Sequence, residues 1–310
     1  MSIALIIAGR DVRPLQRSIG NELRGVTPVW IYPDIPKPEW VEMAVVWNHP
    51  PRVLQALPNL KLASSFGAGV EHILNDATLP PGLRITRIVD ESLTTSMRNY
   101  VLMAVLNIHK QLLFYRKNQQ QVRWEKPEQA EIPLRIGMLG LGALGGSIAA
   151  FLAHQGFDVA GYSQSPREIP GVRSFHAGKN SLTDFVRQIN LLICLLPRTD
   201  STEGILNYGL FSEMQKGSFL INVARGAHLD EEGLLRAMTE GYIREAWLDV
   251  FREEPLPEEH PFWKHPGIVV TPHIASITDQ EKAAKVIAEN YLRWKAGEDL
   301  LFEVDIKKGY

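Results

Sequence analysis

The sequence predicts an α/β protein built from two doubly wound parallel-sheet lobes with a cleft between them. Short, almost continuously apolar runs alternate with amphipathic stretches along the 310 residues. This pattern is typical of parallel strands that helices cover on both faces. The runs form two series, and a long helical pattern at 93–117 separates them. The length is sufficient for two domains.

Each apolar run predicts one strand, and sequence signals between the runs predict helices. The first series gives strands at 3–9, 44–48, 62–67 and 84–90, and the second gives strands at 135–140, 158–163, 191–197, 218–225, 244–251 and 267–273. Ser181 with Asp184 predicts a helix that starts with a variant of the capping box. Asp230 and Gly241 predict the start and the end of another helix, and 278–297 is predicted as the last one.

Composition and charge exclude several classes of partner. The chain is 45% hydrophobic and 22% charged with a net charge of -2, so no nucleic-acid partner is expected. No apolar segment approaches the length of a signal sequence or a bilayer span, so no membrane partner is expected. The single cysteine, Cys194, lies in the apolar run "LLICLLP", which predicts a buried core thiol. One cysteine fits a reducing compartment, and a cytoplasmic location is expected.

A glycine-rich segment follows the first strand of the second series. "GLGALG" places Gly140, Gly142 and Gly145 between a strand and a predicted helix. This G-x-G-x-x-G arrangement allows a tight turn, a close approach of a pyrophosphate to the backbone, and close packing of helix on strand. We therefore predict a Rossmann-type dinucleotide site in which Ala143 and Leu144, at the start of the helix, also contribute.

The tip of the next strand lacks the acid that an NAD site uses to bind the ribose 2′-hydroxyl. Ser163, Gln164 and Ser165 stand there, and Arg167 adds a positive charge. Hydrogen-bond donors and a cation suit a 2′-phosphate, so NADPH is the preferred cofactor and NADH a possible one. The alternative is a solvated loop that does not discriminate, because only one cation is present.

Three charged or titratable residues follow later strands of the second series. They are Arg225 in "INVARGAHLD", Glu254 in "LDVFREEPLP" and His273 in "TPHIAS". Because the carboxyl ends of parallel strands meet at one edge of a sheet, we expect these three side chains to converge near the nicotinamide. Taken singly, each could instead be a surface charge, part of a solvated acidic loop, or a packed histidine.

A metal site is not expected. His260 and His265 flank "PFWK", and Glu258 and Glu259 lie nearby. This loop does not have convincing spacing for metal ligands.

These motifs resemble those of the D-2-hydroxyacid dehydrogenase family. The resemblance rests on "GLGALG", "LLPRTDST", "INVARGAHLD", "LDVFREEPLP" and "TPHIAS", covers essentially the whole chain and is most specific over 135–276. A narrower resemblance, to members that reduce glyoxylate and hydroxypyruvate, rests on "VVWNHP", "SFGAGVEHIL", "PFWKHPGIVVTPHIASIT" and the terminal "GY". Gln164 and Pro166 depart from the more basic residues of those members, which weakens the expected binding of a 2′-phosphate.

The resemblance implies roles for the candidate catalytic residues. Arg225 clamps the carboxylate of a 2-keto acid and polarises its carbonyl. His273 is the general acid, and Glu254 holds its imidazole and favours the imidazolium form. Further implied contacts are Asp249 with the nicotinamide carboxamide, Val223 and Ala224 with the nicotinamide ring, and Leu196 and Pro197 with the adenosine side.

Other implied contacts fall in the first series of strands. The backbone N–H groups of Ala68, Gly69 and Val70 receive the substrate carboxylate, and Trp47 forms an aromatic wall that keeps the pocket small. On local evidence alone, "GAG" is equally well a flexible turn and Trp47 an ordinary core residue.

The resemblance also implies a domain organisation and an activity. A flavodoxin-like substrate domain is expected at 1–98 and 278–310, and a dinucleotide-binding domain at 99–277, with homodimers formed through the latter. The expected reaction is NADPH-dependent reduction of glyoxylate to glycolate and of hydroxypyruvate to D-glycerate. The alternatives are a reductase of a larger 2-keto acid and a nucleotide-sensing scaffold that binds proteins. A phosphoglycerate dehydrogenase is disfavoured because no regulatory domain is expected.

Overall fold

A computed structural model describes residues 1–25 and 27–306 of the chain. It divides into two compact units. The N-terminal unit comprises Met1–Leu93 and the chain from Ile277 onward, and the central unit comprises Thr94–Ser276. Gly309 and Tyr310, part of the motif evidence for the resemblance, lie outside the described residues. The assignment of substrate and dinucleotide domains to 1–98 with 278–310 and to 99–277 stays a prediction.

Strands and helices alternate through both units. The strands are β1 (Ser2–Ile7), β2 (Val29–Ile31), β3 (Val41–Trp47), β4 (Leu62–Ser65), β5 (Arg84–Thr86), β6 (Arg135–Leu139), β7 (Asp158–Ser163), β8 (Val172–His176), β9 (Leu191–Cys194), β10 (Ser218–Asn222), β11 (Ile243–Leu248) and β12 (Ile268–Val270). The helices are α1 (Arg13–Glu22), α2 (Glu71–Leu74), α3 (Glu91–His109), α4 (Leu112–Gln120), α5 (Ala143–His154), α6 (Leu182–Val186), α7 (Tyr208–Ser212), α8 (Glu231–Thr239) and α9 (Gln280–Ala296). Short 3-10 turns lie at Pro38–Trp40, Gly226–His228 and Pro261–Lys264.

The N-terminal unit is a five-stranded parallel sheet in the order β2-β1-β3-β4-β5. This is the strand order of flavodoxin-like folds. Ile3 and Leu5 of β1 pack with residues of α1 and α9 on one face, and Ala4 and Ile6 pack in the cluster on the other face. Because both faces are buried, β1 is apolar at every position from Ile3 to Ile7 instead of alternating.

The central unit is a seven-stranded parallel sheet in the order β12-β11-β10-β9-β6-β7-β8. The strand order reverses between β6 and β9, which pair directly with each other. Residues of α3 and α5 cover one face, and residues of α6, α7 and α8 cover the other. In sheets of this kind ligands bind outside the carboxyl ends of the strands at the reversal.

The predicted fold class is confirmed, and each predicted strand has a counterpart in the structure. The structure adds β2 and β8, which lie at sheet edges where partly exposed side chains interrupt the apolar pattern. Several strands end earlier than predicted: β10 ends at Asn222 and β12 at Val270. Arg225 and His273 therefore lie in loops beyond the sheet.

The prediction of one helix over 93–117 is wrong. The chain forms α3 and α4, and Gln111 between them has a φ of 57°, in the left-handed region that interrupts helical hydrogen bonding. The predicted helix starts are confirmed: Ser181 and Asp184 form a reciprocal capping box, and the Asp230 side chain accepts from the N–H of Gly233. Among the described helices, none has the length and apolar character needed to cross a bilayer.

Candidate active site

The glycine loop follows β6 and has a geometry that only glycine permits at two positions. Gly140 has a φ of +106°, and a Cβ there would lie 2.8 Å from the Leu195 carbonyl oxygen. A Cβ on Gly145 would lie 2.0 Å from the Gly140 carbonyl oxygen. The loop therefore turns tightly and brings α5 directly against the end of β6.

The N-terminus of α5 offers backbone donors without a side-chain cap. Gly142 is the N-cap residue with extended backbone, and its carbonyl accepts the first helical bond, from Gly146 N at 2.8 Å. The N–H groups of Ala143, Leu144 and Gly145 precede that bond and have no carbonyl within the helix. A Cβ on Gly142 would meet no atom within 4 Å, so this side of the loop is open. The arrangement suits an anionic group such as a pyrophosphate.

The tip of β7 has hydroxyl and cationic groups instead of an acid. Ser163 ends the strand, and its hydroxyl donates to the Ser165 carbonyl at 2.8 Å. Gln164, Ser165 and Arg167 are exposed. Their orientation toward a ribose phosphate stays a prediction.

The Arg225 loop follows β10 and is closed by a buried asparagine. The side chain of Asn222 accepts from the Ala224 N–H at 3.2 Å and donates to the Arg225 carbonyl at 3.2 Å. Val223 and Ala224 are buried at 4% exposure each. Arg225 is partly buried, and its Nη1 donates to the Ala224 carbonyl at 2.6 Å. The asparagine thus fixes the loop from which the guanidinium projects.

Gly226 brings the Arg225 loop against the loop that carries Glu254. A Cβ on Gly226 would lie 1.9 Å from the Phe251 carbonyl carbon, so any side chain would separate the two loops. The Phe251 N–H in turn donates to Glu254 Oε1 at 3.0 Å.

His273 and Glu254 form a direct pair. His273 Nδ1 lies 2.8 Å from Glu254 Oε2, and the two side chains are 36% and 37% exposed. Burial by itself raises the pKa of Glu254. The bonds from His273 and the Phe251 N–H, together with the charges of His273 and Arg225, outweigh it and hold that pKa below its usual value. An ionised Glu254 accepts from Nδ1–H, which leaves His273 Nε2 as the nitrogen able to exchange a proton with a ligand.

The His273 turn is held by Asp249. His273 has a φ of 54°, which is uncommon for a residue other than glycine. Asp249 is 1% exposed, and its Oδ1 and Oδ2 accept from the N–H groups of Ile274 at 2.9 Å and Ala275 at 2.8 Å. Thr271 also donates to Oδ1 at 2.6 Å. Burial raises the pKa of Asp249, and these bonds and the charge of His273 oppose that effect without cancelling it. The predicted contact of Asp249 with the nicotinamide stays a prediction.

The segment predicted to cover the adenosine side is attached to a buried histidine. Leu196 is partly buried and Pro197 is exposed. His228 is fully buried, and its Nε2 lies 3.2 Å from the Pro197 carbonyl oxygen. Its Nδ1 lies 3.9 Å from the Cys194 sulfur, and burial raises the pKa of that thiol to about 12. Cys194 is therefore the predicted buried thiol and is inert at neutral pH.

The remaining predicted residues form a local group in the N-terminal unit. Trp47 ends β3 and packs on Gly67, where a Cβ would lie 2.6 Å from the indole Cζ3. Ser65 Oγ donates to the Gly69 carbonyl at 2.6 Å and so fixes the loop that contains Ala68. Val70 is 2% exposed and packs in the core.

Sequence reasoning missed several residues that support these loops. Asn222, Gly226 and Thr271 occur within the quoted motifs, three residues before, one after and two before the predicted functional residues. Their positions within the motifs were a signal, but Gly226 and Thr271 have partners from distant parts of the sequence, and only Asn222 bonds within its own loop. In the part of the chain that the structure describes, no group of three or more His, Cys, Asp and Glu side chains is arranged to hold a metal ion. His260 instead lies 3.2 Å from Glu231.

Comparisons with known proteins identify the family to which the chain belongs. The family model described as "D-isomer specific 2-hydroxyacid dehydrogenase, NAD binding domain" matches residues 102–275. The chain therefore belongs to the D-isomer specific 2-hydroxyacid dehydrogenase family and is an NAD(P)-dependent enzyme of that family.

Individual proteins of this family are similar to the chain over most or all of its length. A protein of Yersinia enterocolitica named glyoxylate/hydroxypyruvate reductase A is 42% identical over 276 residues, which are 87% of this chain and 88% of that protein. A 2-hydroxyacid dehydrogenase of Xanthobacter autotrophicus Py2, solved with NADPH and MES, is 35% identical with a TM-score of 0.93 over 100% of this chain and 99% of that one. An NADPH-dependent glyoxylate/hydroxypyruvate reductase of Sinorhizobium meliloti, solved with NADP and sulfate, is 32% identical with a TM-score of 0.90 over the full length of both chains.

Proposed function

We propose that this enzyme reduces small 2-keto acids with NADPH, converting glyoxylate to glycolate and hydroxypyruvate to D-glycerate. The observation that carries the proposal is the His273–Glu254 pair, with a separation of 2.8 Å, beside the loop of Arg225. The names of the Yersinia enterocolitica and Sinorhizobium meliloti relatives support this choice of substrates.

The residues present fit a dinucleotide. Gly140 and Gly145 lie where a side chain would block the turn, Gly142 leaves the outer side of the loop open, and the first N–H groups of α5 supply donors for phosphates. Ser163, Gln164, Ser165 and Arg167 favour a 2′-phosphate over a free 2′-hydroxyl. When bound, NADPH supplies a hydride to the substrate's carbonyl carbon. The relatives solved with NADPH and NADP support the preference.

The side chains of the central unit supply the proton and the carboxylate contact. Arg225 presents charged donors in a fork that matches a carboxylate, and its charge polarises the adjacent carbonyl. His273 Nε2 gives its proton to the carbonyl oxygen, and the imidazole becomes neutral until solvent returns a proton. Glu254 stabilises the imidazolium before transfer and keeps the ring oriented through Nδ1.

Other predicted contacts complete the proposal. Val223 and Ala224 line the nicotinamide pocket, Asp249 bonds its carboxamide, and Leu196 with Pro197 covers the adenosine. In the N-terminal unit, the N–H groups of Ala68, Gly69 and Val70 bind the substrate carboxylate and Trp47 limits the size of the substrate. We also propose a homodimer and a cytoplasmic location. Light scattering on the purified protein tests the dimer.

The test is a panel of 2-keto acids run with NADPH and with NADH. We expect the highest kcat/KM for glyoxylate and hydroxypyruvate, and a ratio of NADPH to NADH above one. A higher kcat/KM for phenylpyruvate or a branched keto acid would assign a larger substrate. An absence of turnover with every keto acid, together with nucleotide-dependent binding of a protein, would identify a scaffold instead.

A further inference from the structure

Tyr100, Thr271 and Asp249 are connected by hydrogen bonds behind the His273 turn, and Tyr100 has no role in the proposed reaction. Tyr100 of α3 is 7% exposed, and its hydroxyl lies 2.6 Å from Thr271 Oγ1. Thr271 is also bonded to Asp249 Oδ1 at 2.6 Å. Ser96, one turn earlier on the same face of α3, donates to the Ala275 carbonyl at 3.3 Å. One face of α3 therefore bonds to the turn on both sides of His273.

The direction of the hydrogen bonds that connect Tyr100, Thr271 and Asp249 follows from the number of protons available to them. An ionised carboxylate only accepts, so the single proton of Thr271 is used by Asp249, and Tyr100 must be the donor to Thr271. Burial raises the pKa of Tyr100 to about 12, so the phenol keeps its proton at neutral pH. Consecutive bonds of this kind polarise one another, and each strengthens the next.

These hydrogen bonds end at the backbone of the turn that positions His273, the proposed general acid. Asp249 accepts the N–H groups of Ile274 and Ala275, which directly follow His273, and its own carbonyl accepts the His273 N–H at 2.9 Å. This network holds His273 in a left-handed conformation that is unfavourable without such support.

We propose that Tyr100, acting through Thr271 and Asp249, is a positioning residue for His273. The proposal rests on the proposed function for its kinetic consequence. The tyrosine contributes by keeping Asp249 charged and in place. Within the part of the chain that the structure describes, the titratable groups that interact with the Asp249 charge are His273 and Tyr100 itself.

The kinetic test compares Tyr100→Phe with a matched control. Tyr208→Phe also removes a hydroxyl with a 2.6 Å bond, to Glu240 Oε2, but that bond is exposed and joins the first residue of α7 to the C-cap of α8. We expect Tyr100→Phe to lower kcat about threefold to tenfold, the effect of one net hydrogen bond, with KM for glyoxylate and NADPH affinity within about twofold. Tyr208→Phe should match the wild type.

The threonine supplies a second pair of variants. Thr271→Val breaks both bonds and should lower kcat more than Tyr100→Phe, whereas Thr271→Ser keeps the hydroxyl and should stay within about twofold of the wild type. In Thr271→Val the acid limb of the kcat profile should move to higher pH, because a lost hydrogen bond raises the pKa of Asp249. A purely structural defect would not move this limb.

A readout without turnover separates this proposal from the proposed function. Hydrogen exchange of the Ile274 and Ala275 amides should be about threefold to tenfold faster in Tyr100→Phe and unchanged in Tyr208→Phe. If the wild type reduces no 2-keto acid, the proposed function fails, and amide exchange still decides the role of Tyr100. Unchanged exchange and kcat in both Tyr100→Phe and Thr271→Val would overturn the role. An equal loss of kcat and NADPH binding in Tyr100→Phe would also overturn it.

Discussion

Replacing Glu254 by glutamine tests the central pair with the smallest change of shape. Both carboxylate oxygens accept hydrogen bonds, Oε1 from the Phe251 N–H at 3.0 Å and Oε2 from His273 Nδ1 at 2.8 Å. A glutamine has one acceptor oxygen, so its NH2 group must face either the Phe251 N–H or His273 Nδ1, and both of these are donors when the imidazole is protonated. The substitution therefore removes a negative charge and also leaves one donor opposed by another.

The size of the effect follows from these two losses. A hydrogen bond to a charged group contributes about 1.5–3 kcal/mol, and a donor left without an acceptor costs roughly 1–3 kcal/mol. Because both side chains are more than a third exposed, the lower halves of these ranges apply. A loss of about 3 to 4 kcal/mol corresponds to a decrease in kcat of roughly a hundredfold to a thousandfold. NADPH affinity should be unchanged, since neither residue belongs to the glycine loop.

The assay is the initial rate of NADPH oxidation with saturating glyoxylate, with NADPH binding measured separately by fluorescence. Glu259→Gln is the matched control, because it changes an exposed acid of the same segment and should leave kcat unaltered. Retention of wild-type kcat in Glu254→Gln, or an equal loss in Glu259→Gln, would refute the reasoning about the pair.

Three further results are expected. Gly145→Ala should lose NADPH binding, because the added Cβ would lie 2.0 Å from the Gly140 oxygen, whereas Gly20→Ala on α1, with nothing within 4 Å, should leave NADPH binding unchanged in the same titration. Ser165→Asp should lower the ratio of kcat/KM for NADPH over NADH by at least about tenfold, an effect of roughly 1.4 kcal/mol from like charges, and an unchanged ratio would show that this tip does not contact the 2′-phosphate. The pKa of Glu254 is lowered in the folded protein, so its pair with His273 stabilises the fold above the unfolded carboxyl's pKa and loses that contribution as the pH falls through the lower folded value. Urea unfolding of wild type and Glu254→Gln should accordingly give a stability difference that shrinks as the pH falls below about pH 4.

The sequence predicts the fold well where burial is two-sided. β9 is apolar throughout, and β6 is apolar after Arg135 and runs directly into the glycine loop, so the pattern and the motif agree. The prediction fails where tertiary contacts decide. Nothing local to β8 marks a strand, since it forms by pairing with β7 at the sheet edge. The break between α3 and α4 lies at Gln111, whose side chain donates to the Gln129 carbonyl 18 residues further along the sequence.

The candidate site shows the same division between local and distant information. The positions of Arg225, Glu254 and His273 in loops at the carboxyl ends of strands could be predicted because each follows a strand in a short motif. The residues that hold them could not, because Asp249 reaches the His273 turn across β11 and β12, and Gly226 meets Phe251 across β10 and β11. The spacing of residues along the sequence does not predict such contacts between loops of different strands.

The parallel strands of the central sheet bring the glycine loop and the loops of the proposed catalytic residues to one edge. The glycine loop leaves the carboxyl end of β6, and the loops of Arg225, Glu254 and His273 leave the carboxyl ends of β10, β11 and β12. All these strands are parallel, so every one of these loops emerges at the same edge of the sheet. Loops at a rigid edge still need their own supports if a proton donor is to be held within tenths of an ångström. The buried Asn222 and Asp249 and the partly buried Thr271 are those supports, and their removal should lower turnover before it prevents folding.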